Sequence, residues 1–244
     1  MTSISGLLDE VDAIIGREAD PSTALEALRH AIPLPEYLDA CRTDSRMLAD
    51  LTARSYRHDN GFDKIVLAQS LTGSLKFVLH VWQPGKERSL DNIHNHRWEF
   101  ASVVLCGALQ LDLYQFDLSG VSYPRVWYLS PEDSEAYQTE PDGDTAVSVR
   151  ASVTMAAGTT YTWASDLLHR AWGVGSPLTA TLIVQGRPAR DSTTVLVRQG
   201  PVDASVSGER HLTRLREEHI AQTLTWLTNN EIESAWRLLR SRSR

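Results

Sequence analysis

A change of hydrophobic period constrains this chain more than any other feature. From about residue 62 the apolar positions alternate with a period of two, which places successive side chains on opposite faces of an extended strand. The segments 65–70, 75–82, 98–106, 109–116, 126–129, 146–155, 160–163, 180–185 and 194–198 all carry this pattern. Gly73, Pro84-Gly85, Gly107, Ser119-Gly120, Asp142-Gly143, Gly158, Gly173 and Gly186 punctuate them. Many short strands without long helices between them specify an antiparallel sandwich or barrel and exclude a parallel βαβ sheet.

Helical spacing is confined to the two ends. Leu7, Leu8, Val11, Ile14 and Ile15 recur at helical intervals. Asp20 followed by Pro21 reads as an N-cap and first-turn proline, with Leu25, Leu28 and Ile32 on one face. Pro33 and Pro35 are expected to stop that helix. Met47, Leu48 and Leu51 suggest another short one. At the other end, Leu212, Leu215, Ile220, Leu224 and Leu227 form an amphipathic pattern. Asn229-Asn230 interrupts it, and Ile232, Ala235, Trp236 and Leu239 continue it. The expected organisation is an N-terminal helical segment (1–61), a β-barrel (62–198), and a linker with C-terminal helices (199–244), packed as a single domain. Arg240 to Arg244 reads as a frayed end.

Charge and composition narrow the function classes. The 244 residues carry a net charge of −7 without an internal basic cluster, which argues against nucleic-acid and anionic-membrane partners. No apolar run approaches the ~20 residues of a membrane span, and residues 1–10 have no signal-peptide pattern. Two cysteines, Cys41 and Cys106, make no disulfide framework, so a reduced, cytoplasmic protein is expected. The chain contains no GxSxG, P-loop, GxGxxG, HExxH or CxxC, leaving serine-hydrolase, nucleotide-binding, zincin and zinc-ribbon readings without support.

Ile93-His94-Asn95-His96-Arg97 carries the chemistry. Histidines at i and i+2 on an extended chain point to one side. Paired imidazoles suit Fe, Zn, Mn or Ni, although such a pair alone is weak evidence. A third histidine, His169, follows a later strand-and-turn unit that begins at Gly158.

In this order, Gly85, His94, His96 and Gly107 resemble the first motif of the cupin superfamily. His169, eleven positions after Gly158, resembles the second. The resemblance spans about residues 62–198 and implies a mainly β cupin fold: a double-stranded β-helix (jelly-roll barrel) with flanking N- and C-terminal α-helices. It also implies one divalent metal. The chain departs from the pattern in several places. Eight residues rather than five separate Gly85 from His94. Ala164 and Asp166 replace a proline and a glycine, and Gly173 stands where asparagine is frequent. Phe100 occupies the place of the family's glutamate ligand, while Glu99 lies one residue early. On a regular strand that offset turns Glu99 to the opposite face unless a bulge re-aims it. The expected ligands are therefore His94, His96 and His169, with Glu99 as an alternative fourth.

A three-histidine cupin resembles the thiol (cysteine) dioxygenase-like cupins. Leu168-His169-Arg170 followed by Ser176-Pro177, and the approach through residues 77–82 to His94, carry that likeness. Their Ser-x-His-x-Tyr run is absent; the corresponding strand reads Thr181-Leu182-Ile183-Val184-Gln185. Arg54 or Arg57, near Tyr56, is a loose counterpart of their substrate-carboxylate arginine. The resemblance implies a mononuclear non-haem Fe(II) oxygenase acting on a small polar, amino-acid-like or carboxylate substrate. Enzymes that use 2-oxoglutarate carry a carboxylate where His96 stands, so that cosubstrate is not expected. With Zn, Mn or Ni the same site would act as a Lewis acid in an isomerase, lyase or hydrolase. A non-catalytic small-molecule-binding cupin is the third reading.

His80, Arg97, Ser102 and Tyr161 are candidate catalytic side chains. Tyr114, Trp82, Trp98, Trp163 and Trp172 are candidates for an apolar lining or plain core. Arg97 and Arg170 could clamp a carboxylate, or simply point outward beside their inward histidines. His30, His58, His211 and His219 read as surface residues and Cys106 as buried packing. Barrel edges need covering, and a homodimer is the expectation.

Overall fold

The computed structural model describes residues 10–11, 13–14, 20–70, 75–84, 92–129, 136–174, 178–198, 208–230 and 232–237. Gly85, Leu7, Leu8, Ile15, Ser176-Pro177, the 199–207 linker and the Arg240–Arg244 tail lie outside them.

Residues 10–11 and 13–14 are helical, with Val11 and Ile14 buried, and three helices follow: α1 (Pro21–Ala31), α2 (Leu34–Thr43) and α3 (Ser45–Arg54). The cap on α1 is the expected one, with Asp20 accepting from the Thr23 backbone N–H at 2.8 Å. The two prolines do more than stop it. Pro33 becomes the N-cap of α2, and Pro35 sits in its first turn, where a missing N–H costs nothing. That helix was not expected; it buries Leu34, Tyr37, Leu38 and Cys41.

Thirteen strands are described. They are β1 (Tyr56–Arg57), β2 (Asp63–Gln69), β3 (Lys76–Trp82), β4 (Ile93–His94), β5 (Trp98–Cys106), β6 (Ala108–Leu129), β7 (Ala136–Ala156), β8 (Thr160–Trp163), β9 (His169–Val174), β10 (Thr179–Pro188), β11 (Ser192–Leu196), β12 (Gly208–His211) and β13 (Thr213–Arg214). One sheet runs β13-β1-β2-β3-β10-β5-β8. The other runs β11-β4-β9-β6-β7-β12, with β11 also paired to β6. Every pairing among the described residues is antiparallel. The fold is mainly β: two antiparallel sheets forming a double-stranded β-helix with flanking helices, the architecture expected.

Two expected strands, 109–116 and 126–129, are one ribbon with β7. The Ser119-Gly120 signal marks a bulge instead of a turn: Phe116 and Val121 both oppose Val147, and the residues between them loop out. Asp117 holds that loop by accepting from the Ser119 N–H and hydroxyl at 2.9 and 2.6 Å. Strands β1, β4, β9, β12 and β13 were not expected; short or glycine-containing segments give too little alternation to be read.

The seven-stranded sheet explains why its strands are apolar on both faces. Phe77, Leu79 and Val81, with Ala101, Val103, Leu105, Ala180, Leu182 and Val184, face the helices and join one core. That core includes Leu25, Leu28 and Leu38 from the N-terminal side. From the C-terminal side come Ile220, Leu224 and Leu227 of α4 (Glu217–Asn229), with Ile232 and Trp236 of α5 (Ile232–Arg237). The break at Asn229-Asn230 falls where expected, but α4 begins only at Glu217; Leu215 precedes it and its N–H donates to Ser55 O at 3.2 Å. Trp236 is fully buried, and its indole N–H donates to the Ile32 carbonyl at 2.9 Å. The opposite face of the sheet carries Val78, His80, Trp82, Phe100 and Ile183 and lines an interior cavity.

Candidate metal centre and cavity

Register brings the three histidines together. His94 in β4 lies directly opposite His169 in β9, and His96 follows two positions on. Asn95 between them turns the other way: it is buried, and its Oδ1 accepts from the Thr194 N–H at 2.7 Å while its own N–H donates to Thr194 O at 3.1 Å. The His96 N–H donates to Ser165 O at 3.1 Å. Backbone bonds on both sides of the motif thus fix the direction of its imidazoles.

The ligand atoms of His94, His96 and His169 lie within 4.8 Å of one another. Ring centroids are 4.5 Å apart for His94 and His169, 4.9 Å for His96 and His169, and 5.0 Å for His94 and His96. His169 Nδ1 is 3.2 Å from Leu167 O. A carbonyl only accepts, so this Nδ1 carries the proton and Nε2 offers a lone pair. His94 Nδ1 is 3.0 Å from Asn92 O and 3.3 Å from the Asn60 amide nitrogen, so it has a partner in either tautomer. His169 Nε2 faces His96 Nε2 at 3.3 Å. Lone pairs converging in this way are what a borderline divalent cation needs, and the three imidazoles fit one.

Burial pushes His96 and His169 well below the ordinary histidine value, with neighbouring imidazoles adding to it. Burial also lowers His94. All three therefore favour the neutral, metal-binding form at neutral pH.

The cavity beside them measures about 200 Å³. Tyr161, Trp82 and Trp98 line it, as expected, and so does Phe100. Phe100 lies edge-on to His96 at 5.2 Å, where the family pattern has a carboxylate. Glu99 is exposed and borders a surface recess with Asp20, Pro21 and Ser22; it is not grouped with the histidines. Trp163 packs against His169 at 4.9 Å. Tyr114 packs instead beside Ile93, Val147, Leu168 and Leu196.

His80 lines the cavity, 4.3 Å from the Phe62 ring, and burial holds it well below its ordinary value. Tyr161 lines it too; burial pushes its phenol up to about 12, opposed by the Ser102 hydroxyl. Ser102 itself is fully buried and is not among the lining residues. Arg97 lines the cavity and lies over Trp98 at 5.6 Å. Arg170 is committed elsewhere: it pairs with Asp112 at 2.7 Å and stacks on Trp172 at 4.4 Å.

Two histidines expected as unpartnered surface residues have partners. His58 lines the cavity, stacked on Phe62 at 4.4 Å. His219 reaches from α4 to the fully buried Asp63 at 2.8 Å, and Arg57 pairs with the same carboxylate at 2.7 Å. Arg57 is thereby tied to Asp63. Sequence reasoning also passed over Asn92, whose carbonyl meets His94 Nδ1, over Asn60, whose Oδ1 accepts from the Asn92 N–H at 3.3 Å, and over Lys64 and Gln185. The Asn92-x-x-Asn95 pair around the histidines was the legible hint. Lys64 gave none, because one lysine in an apolar strand reads as an edge residue.

No family model matches the chain, and no curated protein matches it. Solved structures do. A cupin-2 domain protein from Shewanella frigidimarina is 15% identical over 51% of this chain and 79% of its own, at a TM-score of 0.28. An RmlC-like cupin with a double-stranded β-helix from Methanocaldococcus jannaschii is 11% identical over 55% and 86%, at 0.30. Hydroxypropylphosphonic acid epoxidase from S. wedmorenis is 10% identical over 75% and 98%, at 0.34. The thiol-dioxygenase resemblance is carried only by the sequence. Strand order and register make this chain a double-stranded β-helix.

Proposed function

We propose that this chain is a metal-dependent enzyme of cupin fold, a mononuclear non-haem Fe(II) oxygenase acting on a small polar substrate without 2-oxoglutarate. The observation that carries the reading is the convergence of His94, His96 and His169, with the His169 proton placed on Nδ1 by the Leu167 carbonyl. Three neutral ligands leave the charge of a bound divalent ion uncompensated, which favours an anionic substrate; iron would supply dioxygen activation there.

The chain's own residues have definable tasks. Phe100, Tyr161 and Trp98 present apolar walls that exclude water from the space beside the imidazoles. Neutral His80 and His58 can accept a proton inside the cavity, and Tyr161, held protonated, can donate a hydrogen bond.

Elemental analysis of anaerobically purified protein tests the reading. Near-stoichiometric iron per chain is expected. Zinc, manganese or nickel would move the reading to Lewis-acid chemistry, and no metal, even after reconstitution, would overturn it. His169→Ala should lose the metal while Glu99→Ala keeps it; equal loss in both would sink the three-histidine assignment.

A further inference from the structure

Lys64 is the second residue of β2 and is only 8% exposed. Its register partner across the sheet is His80, so it projects from the cavity-facing side and lines the cavity. Its ammonium meets Gln185 Oε1 at 3.2 Å. Around it stand two ring faces, Trp98 at 5.3 Å and Tyr56 at 5.8 Å.

No carboxylate among the described residues pairs with it, and the charge that acts on it is Arg97, of like sign. An ammonium has three N–H donors. Gln185 provides the one hydrogen-bonding oxygen among the described residues, and aromatic faces replace only part of the lost hydration. Burial pushes Lys64 down to about 8, which still leaves it mostly charged at neutral pH. The one acidic side chain lining the cavity, Asp59, is exposed. A buried, hydrogen-bonded but uncompensated cation is costly unless an anion joins it.

We infer that Lys64 and Gln185 form a carboxylate-binding end of the cavity, and that the substrate is a small monocarboxylate whose apolar body lies against Trp98, Phe100 and Tyr161. The substrate assignment rests on the metal-centre reading above; the anion subsite itself does not. Lys64 supplies two further N–H donors, and the Gln185 amide nitrogen supplies more beside them. Lys64 is the one ammonium among the described residues lining this cavity of about 200 Å³, with Arg57 held by Asp63 and Arg97 lying over Trp98, and one ammonium suits a monoanionic group better than a phosphate dianion.

The probes are benzoate, its neutral isostere benzamide, and inorganic phosphate. Each is titrated by calorimetry and tryptophan fluorescence into metal-free and zinc-supplemented protein. Benzoate should bind saturably and at least about 10-fold more tightly than benzamide. Lys64→Met should weaken benzoate binding about 10- to 100-fold, the range for a charge-assisted contact, with metal content unchanged. Lys64→Arg should retain most of it.

Gln185→Glu provides a check that survives misfolding of the Lys64 variants. It sets a fixed carboxylate beside the ammonium and should abolish benzoate binding without lowering the melting temperature. Undetectable benzoate binding to the wild type, equal binding by Lys64→Met, or preference for phosphate would each overturn the inference. Lys64-dependent benzoate binding in protein that takes up no metal would leave the subsite standing and remove the oxygenase reading. Stoichiometric metal with Lys64-independent binding would do the reverse.

Discussion

Asn95 separates the two histidines of the motif in sequence and fixes them in space. Its paired bonds to Thr194 lock one side of the extended segment, so the imidazoles on the other side have little freedom left to lose on binding a cation. The same enclosure sets a pH response. His58 and His80, held well below the ordinary value by burial, stay neutral in the folded chain. The unfolded chain takes up protons on these groups once pH drops to about 6.5, while the folded chain does not. Their depressed values therefore contribute stability that is fully present above about pH 6.5. It is lost as pH falls from there through the folded values, by about 1.4 kcal/mol per pH unit for each such histidine. Metal-free protein should show a denaturant midpoint that declines below about pH 6.5; a midpoint flat to pH 5 would contradict the burial of these rings.

At the scale of elements, turns decide whether β5 and β6 can place their faces. Gly107, between them, has φ +68°, and a Cβ there would lie 2.7 Å from Leu178 O and 2.9 Å from Thr179 Cα. The Thr179 hydroxyl, nearer still, can rotate away, but these two backbone atoms cannot. Gly107→Ala should cost about 1–3 kcal/mol, the range for a non-glycine residue forced into this region, read as a drop in denaturant midpoint. An unchanged midpoint would mean that the turn has relaxed to another type. The bulge opposite Val147 teaches the converse. A Ser-Gly pair marks a place where the chain departs from the ladder, but whether it turns back or merely loops out depends on the partner strand.

Across the whole molecule, one core joins both ends of the chain to the outer face of the seven-stranded sheet. Arg29 in α1 lies 5.9 Å from the Trp236 ring in α5, so helices from the two sides of the barrel segment touch. Trp236→Ala should remove about 3–5 kcal/mol, as for other large buried aromatics. Because that core is shared, barrel and helices should still unfold in one transition, with near- and far-ultraviolet circular dichroism coincident. Separate transitions would show that the helices form an independent unit.

The period of two, the Asp20 cap, the break at Asn229-Asn230 and the His94-x-His96 pair are local patterns, and the sequence by itself determined them; His169 joined the pair only through the family resemblance. The sequence also determined the placement of Glu99 away from the histidines, since strand parity follows from counting. Tertiary structure alone decided what meets what. His94 faces His169 through a register set by pairing between strands far apart in sequence. His58 and His219, alike as isolated histidines in sequence, part company because one stacks inside the cavity and the other reaches a buried carboxylate. Lys64 acquires its meaning from Gln185, Trp98 and Tyr56, none of them a sequence neighbour. Periodicity tells each residue which face it occupies; only the closed arrangement of both sheets tells it which side chains share that face.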